Sequence, residues 1–315
     1  MSSSALAVQA TARLHAGTVS GPTTLLIGFP PGGPTDGVGR VIAEPLRDQL
    51  GAPVVVVNRP GAAGRIAVSA AARATPNGHT LLLTPGAMVT IHPHLYPELP
   101  KDPWTWLAPI ALIGTTNLSI VVAADHPARS LGELLRLFQR SPDTAHCGTP
   151  GSGTVAHLAL VDMAGRTGTP FTPVHYRGAP DIVNAVIGGS LQSGAVIPGV
   201  AMPFAAAGKI RILATSGAER AQMLPEVPTW REAGVDIVVQ EWVGLFAPAG
   251  TPPQRVRELG DDVLEAIARP AVNASFERYG LLPGHAGPRD FAGVIRQDYA
   301  HWGRIIERNG IKAET

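Results

Sequence analysis

A chain of 315 residues, 45% hydrophobic and 16% charged, holds ample apolar material for a core. That excludes a disordered chain and suggests two domains or one large one. Its 25 Lys and Arg against 24 Asp and Glu leave a formal charge of +1, with no basic surplus to neutralise phosphates, so nucleic acid is not an expected partner. The one cysteine, Cys147, can neither close an internal disulfide nor hold a thiolate metal site by itself.

Residues 1–20 are rich in Ser, Ala and Thr and lack a basic segment ahead of an apolar one. They do not read as a secretory signal and are expected to form a flexible leader. No apolar run approaches the roughly 20 residues of a membrane span. Apolar, β-branched runs then alternate with stretches of helical period. Strands are predicted over 23–29, 53–58, 79–84, 118–123, 173–176, 194–197, 210–215, 236–240 and 243–247. Helices are predicted over 34–50, 64–73, 130–140, 154–164, 179–187, 252–268, 271–279 and 288–309. Ser130 reads as an N-cap, with Glu133 completing a capping box. Strand–helix alternation implies mainly parallel sheets covered on both faces.

Nine predicted strands are many for one open sheet of this length, so two lobes are expected. The chain is predicted to leave the first lobe near residues 118–123 and return near 240–247. This gives a leader at 1–20, one lobe from 21–121 and 241–315, and a second from 122–240.

Two glycine-rich loops stand between a strand and a helix. The first is Phe29-Pro30-Pro31-Gly32-Gly33-Pro34-Thr35-Asp36. Pro34 suits a first helical turn, Gly32 and Gly33 allow close backbone approach, and the free N–H groups of the helix start favour an anion. No Gly-Lys-Ser/Thr follows, so it is not a P-loop. The second is Gly148-Thr149-Pro150-Gly151-Ser152-Gly153-Thr154-Val155-Ala156-His157. Ser152 and Thr154 can cap the helix or present hydroxyls to an oxyanion. Gly151, Gly153 and Ala156 also fit Gly-x-Gly-x-x-Ala, a loose dinucleotide fingerprint. Pro150 sits inside it, and no strand ending in an acidic residue follows at the spacing a ribose contact needs.

His92 and His94 flank Pro93 and lack a carboxylate or cysteine partner, so they read as polar loop residues, not a metal pair. Cys147 with His157 lacks an orienting third group for nucleophilic catalysis. The residues alone thus describe two amide-rich, helix-opening loops, one per lobe, that would grip an anion across a cleft.

The ordered motifs go further. To the two loops they add Asn58-Arg59-Pro60-Gly61-Ala62-Ala63-Gly64, Pro76-Asn77-Gly78-His79-Thr80, Pro93-His94-Leu95-Tyr96 and Tyr176-Arg177-Gly178. Ala207-Gly208-Lys209-Ile210, Leu224-Pro225-Glu226-Val227-Pro228-Thr229 and Gly244-Leu245-Phe246-Ala247-Pro248-Ala249-Gly250-Thr251-Pro252 follow. Over about residues 23–311 the chain resembles the tripartite tricarboxylate transporter substrate-binding proteins, the TctC or Bug family. The resemblance implies an α/β, two-lobed periplasmic-binding-protein-like fold of type II, each lobe a mainly parallel sheet flanked by helices. It implies capture of a small mono- or dicarboxylate for membrane transporter subunits, by a periplasmic monomer, with no cofactor, no metal and no chemistry. Carried onto this chain, it points to Phe29, Pro30, Gly32, Gly33, Thr35 and Asp36 from one lobe, with Ala87 and Met88 lining the cleft. From the other lobe it points to Gly151, Ser152, Gly153, Thr154 and His157.

Val196 stands where relatives carry an aspartate near the cleft. A more apolar pocket is expected there, favouring an aromatic or aliphatic carboxylate over an amino or hydroxy acid. Two other functions fit weaker features: an NAD-dependent oxidoreductase using Gly151–Ala156, or a ligand sensor for a membrane signalling partner.

Overall fold

A computed structural model describes residues 21–312; the expected leader at 1–20 lies outside them. In chain order the strands are β1 (Thr23–Ile27), β2 (Val54–Asn58), β3 (Thr80–Pro85), β4 (Leu107–Asn117), β5 (Ser119–Ala123), β6 (His146–Thr149), β7 (Thr172–His175), β8 (Ser193–Val196), β9 (Ile210–Thr215), β10 (Gln240–Pro248) and β11 (Leu282–Pro283). The α-helices are α1 (Pro34–Leu50), α2 (Arg65–Ala72), α3 (Ala87–Thr90), α4 (His92–Leu95), α5 (Leu131–Arg140), α6 (Val155–Thr167), α7 (Ala179–Ile187), α8 (Pro198–Ala206), α9 (Pro253–Ile267), α10 (Pro270–Arg278) and α11 (Pro288–Asn309).

The strands form two sheets. One has the order β11-β4-β10-β3-β1-β2, the other β7-β6-β8-β5-β9. In the first, β1 pairs in parallel with β2 and β3, while β10 runs antiparallel to β3 and β4. In the second, β6 pairs in parallel with β7 and β8, while β5 runs antiparallel to β8 and β9. The two sheets share an apolar cluster that runs from Leu26 and Leu82 through Trp242, Phe291 and Trp302 to Ile120, Phe138 and Leu158.

Particular residues explain where elements depart from the pattern. Strand β4 carries Pro109, which removes a ladder donor and makes the segment read as broken; the register of β10 against β4 shifts just there, between Leu245 and Phe246. Helix α8 contains Gly199 and Pro203 and so reads as loop, but Pro198 opens it. Residues 236–240 do alternate, with Val235, Ile237 and Val239 buried, yet no neighbouring strand pairs with them ahead of β10. His92 and His94 lie in the short helix α4, not in a loop. Ser130 caps α5 by accepting the Glu133 N–H, and the Glu133 carboxylate accepts from Arg129 instead of the cap residue's own amide.

The chain passes from the first sheet to the second at Leu118 and returns ahead of Gln240. Ser216 laces the two crossings together. Its Oγ accepts from the Leu118 N–H at 2.8 Å and donates to the Val239 carbonyl at 2.5 Å. Its backbone closes the lattice, bonding Leu118 O at 2.9 Å and Val239 N at 2.9 Å. Ser216→Ala leaves a buried N–H and a carbonyl without partners, at about 1–3 kcal/mol. Urea unfolding should show that loss as a lower midpoint with an unchanged slope; an unchanged midpoint would mean that the hydroxyl contributes nothing.

Candidate functional site

Between the two sheets lies a cavity of about 370 Å³. Phe29, Pro30 and the first turn of α1 line one side, and Arg177–Pro180 with Val196, Ile197 and Val200 line the other. Strands β4 and β10 supply Gly114, Thr116, Glu241 and Val243. Apart from Arg177 and Glu241, the lining side chains are apolar or small neutral ones.

The α1 side is an open helix start. Gly33 is the N-cap, extended and without a side-chain cap, and Pro34 follows. Among the described residues the N–H groups of Thr35 and Asp36 have no backbone partner. The loop is held from within. Asp36, only 2% exposed, accepts from Gly32 N–H, Arg40 Nε and Asn58 Nδ2, each at 2.9 Å. The Arg40 bond leads, with Gly32 and Asn58 adding, and together they hold the Asp36 carboxyl down to about 2 against the cost of burial. Gly32 supports the turn with φ +82, a left-handed conformation that favours glycine.

Facing it across the cavity is the start of α7. Gly178 is an N-cap without a side-chain cap, Pro180 lies in the first turn, and the Ala179 and Asp181 N–H groups have no backbone partner among the described residues. Arg177 beside them is exposed and forms no hydrogen bond or ion pair with the described residues. Its guanidinium is free to meet an anion at the cavity rim.

Of the residues singled out in the sequence, Phe29, Pro30, Gly33, Thr35 and Val196 line this cavity. Gly32 and Asp36 stand behind the wall and bond each other. Ala87 and Met88 are buried in α3, and Met88 sits behind Phe29: a Cβ on Gly64 would lie 3.0 Å from the Met88 sulfur and 3.4 Å from the Phe29 ring. Gly151, Ser152, Gly153, Thr154 and His157 do not reach the wall; from that loop only Pro150 does. The loop closes on itself instead. Gly153 N–H donates to His157 Nδ1, and Thr154 Oγ1 donates to Gly151 O while accepting from His157 N–H. Its outer side meets α4, where a Cβ on Gly153 would lie 2.8 Å from Leu95. Burial, with His175 adding, pushes His157 down to about 4, so it is neutral at pH 7. Burial pushes the Cys147 thiol up to about 12.

The α7 turn lines the cavity although the sequence did not single it out as a binding loop, and it shares the pattern of the α1 turn. Gly33-Pro34-Thr35-Asp36 and Gly178-Ala179-Pro180-Asp181 share a glycine cap, an early proline and an aspartate in the first turn. Among the described residues there is no cluster of three or more His, Cys, Asp or Glu suited to a metal, and no helix long and apolar enough to cross a membrane.

The profile of the tripartite tricarboxylate transporter family receptor, TctC, matches residues 38–311. The chain belongs to this family. BugT of Bordetella pertussis is 31% identical over 293 residues, 92% of this chain and 90% of that one. The solved structure of Rpa4515 from R. palustris with adipate is 27% identical, with a TM-score of 0.84 over 93% of this chain and 99% of that one. MatC of Rhodopseudomonas palustris with bound malate is 27% identical, with a TM-score of 0.79 over 90% and 99%. The two-lobed fold of these solute-binding proteins is the fold described above.

One wall residue carries a testable signature. Burial pushes the Glu241 carboxyl up to about 7. Between the ordinary value of 4.5 and about 7, the folded chain holds a proton that the unfolded chain has released, so stability falls as pH rises through that window. Glu241→Gln should flatten this part of the melting-temperature profile and raise stability at pH 8. Equal slopes in both proteins would place the carboxyl in a wet, unperturbed setting.

Proposed function

We propose that this receptor captures a small carboxylate with an apolar body between its halves and presents it, without chemistry, to the membrane subunits of a tripartite tricarboxylate-type transporter. The halves are residues 21–118 with 240–312, and residues 119–239. The carrying observation is the pair of uncapped helix starts, α1 and α7, that border one cavity. Unpartnered N–H groups and the two dipoles favour a negative group between them. Arg177 at the rim adds a free cation.

Magnitudes favour a carboxylate with an apolar body. A micromolar complex needs about −8.2 kcal/mol. Burying roughly 200 Å² of apolar ligand surface gives about 5 kcal/mol, and each hydrogen bond to a charged group adds about 1.5–3 kcal/mol. Apolar contact alone falls short once the cost of association is included. The wall residues Val38, Val196, Ile197, Leu281 and Phe29 suit a ring or a short chain. Val196 is 1% exposed and brings no acceptor for a ligand amine or hydroxyl.

The adipate and malate of the solved relatives support a carboxylate as the group recognised. We place the working protein in the periplasm, as a monomer, where a receptor for a membrane transporter meets its solute. The Gly151–Ala156 loop offers a dinucleotide little, because the Gly153 amide is already bonded to His157 and its Cα faces Leu95.

Calorimetric titration of hexanoate and benzoate against hexanamide and benzamide tests the reading. The acids should bind in the micromolar range and the amides at least tenfold more weakly. Val196→Asp should weaken the acids about tenfold by placing a carboxylate in the wall. Equal binding of acid and amide would refute anion capture; unchanged affinity in the variant would refute the apolar wall.

A further inference from the structure

The carboxylate of Glu241 is not explained by anion capture. A negative group in a cavity built for an anion opposes the ligand unless it meets a different part of it. Glu241 lines the cavity, is partly buried, and forms no hydrogen bond or ion pair among the described residues. The nearest candidates are engaged or do not reach it. Thr116, directly across the strand pair, donates its hydroxyl to Gly280 O at 2.7 Å. Arg177, the other charged residue of the wall, forms no ion pair with it.

Strand register locates this carboxylate relative to the amide turn. Ile27 is level with Leu83, and Leu83 with Leu245. Glu241 lies four residues toward the start of β10, at the same sheet edge from which the Phe29–Asp36 loop springs. Strands β1 and β10 are separated by β3, two spacings of about 4.8 Å. An acceptor thus stands at the end of the sheet where the α1 loop begins, about 10 Å along the sheet from β1, on a strand that carries neither helix start. Val243, two residues on and facing the same way along the strand, keeps the space between apolar.

We propose that Glu241 is a specificity-determining residue that reads the far end of the ligand: it selects a carboxylate whose opposite end carries a hydrogen-bond donor, an amine above all, and disfavours a second carboxylate. This rests on the reading of the cavity as a carboxylate site. The donor meets an acceptor that otherwise has none, while a second carboxylate meets a like charge in a poorly hydrated wall.

The test is calorimetric titration at pH 8 with four matched probes: hexanoate, 6-hydroxyhexanoate, 6-aminohexanoate and adipate. The wild-type protein should bind 6-aminohexanoate at least tenfold more tightly than adipate, with the hydroxy acid between. Glu241→Gln and Glu241→Ala should bring that ratio to near or below one, and by removing a like charge from the wall they should leave hexanoate bound as tightly as in the wild type or more tightly. The two variants guard against one failing to fold, which a melting curve shows. If hexanoate binds but adipate matches or exceeds the amino acid, or if the variants keep the wild-type ratio, this proposal is overturned and the carboxylate reading stands. If none of the four probes binds the folded wild-type protein, the carboxylate reading itself fails, and this proposal with it.

Discussion

Backbone N–H groups at a helix start have no partner inside the helix, and this chain leaves two such starts open on one cavity. At α1 and α7 the cap is glycine, which brings no side-chain oxygen, and proline occupies an early position, where its missing N–H costs nothing. Donors of this kind need water or an anion. By contrast, Thr154 caps α6 and Ser130 caps α5 with their own hydroxyls. Among the described α-helices only α5 and α6 carry such a cap, so what distinguishes α1 and α7 is the shared cavity that their free N–H groups border. In the function proposed above, anion recognition is a property of the backbone, and the surrounding side chains meet the body and far end of the ligand.

Rigidity around the turns supports this role. Asp36 looks like a ligand-facing residue in the sequence, but its carboxylate fixes Gly32, Arg40 and Asn58 and so holds the loop shape. The halves also meet closely at the edge of the cavity, where Ile197, Val200 and Leu281 line its wall. A Cβ on Gly199 would lie 2.5 Å from the Tyr279 backbone, and one on Gly280 2.5 Å from Gly199 N. Contact between α8 and the turn before β11 therefore depends on two residues without side chains. On the far side Asp162 of α6 accepts from Arg166 at 2.9 Å and from Arg308 of α11 at 2.8 Å, so the C-terminal helix reaches across to the second sheet. With Ser216 at the crossings, these contacts hold the walls of the cavity in register.

Much of the fold was legible because its signals are local. Helix α1 is readable despite Pro45 because Val38, Ile42 and Leu46 share one face, and helices α7 and α11 open on prolines. What was not legible depends on partners. Strand β4 needs β10 beside it to tolerate Pro109, and residues 236–239 alternate ahead of β10 without a strand to pair with among the described residues. Of the residues singled out in the sequence, Phe29, Pro30, Gly33, Thr35 and Val196 line the cavity. Of the second loop only Pro150 reaches the cavity wall. Gly153 is glycine for packing against Leu95, and its N–H serves His157. Glu241 was invisible to local reading, since only β-sheet register brings it to the edge where the α1 loop begins.

Amide chemical shifts during a carboxylate titration test the central claim most directly. In a ¹H–¹⁵N spectrum recorded with increasing hexanoate, the Thr35, Asp36, Ala179 and Asp181 amide protons should move downfield together as they take up the anion. The Gly151, Ser152 and Gly153 amides should barely move. Downfield shifts concentrated at Gly151–Gly153, with the α1 and α7 starts unaffected, would contradict the account.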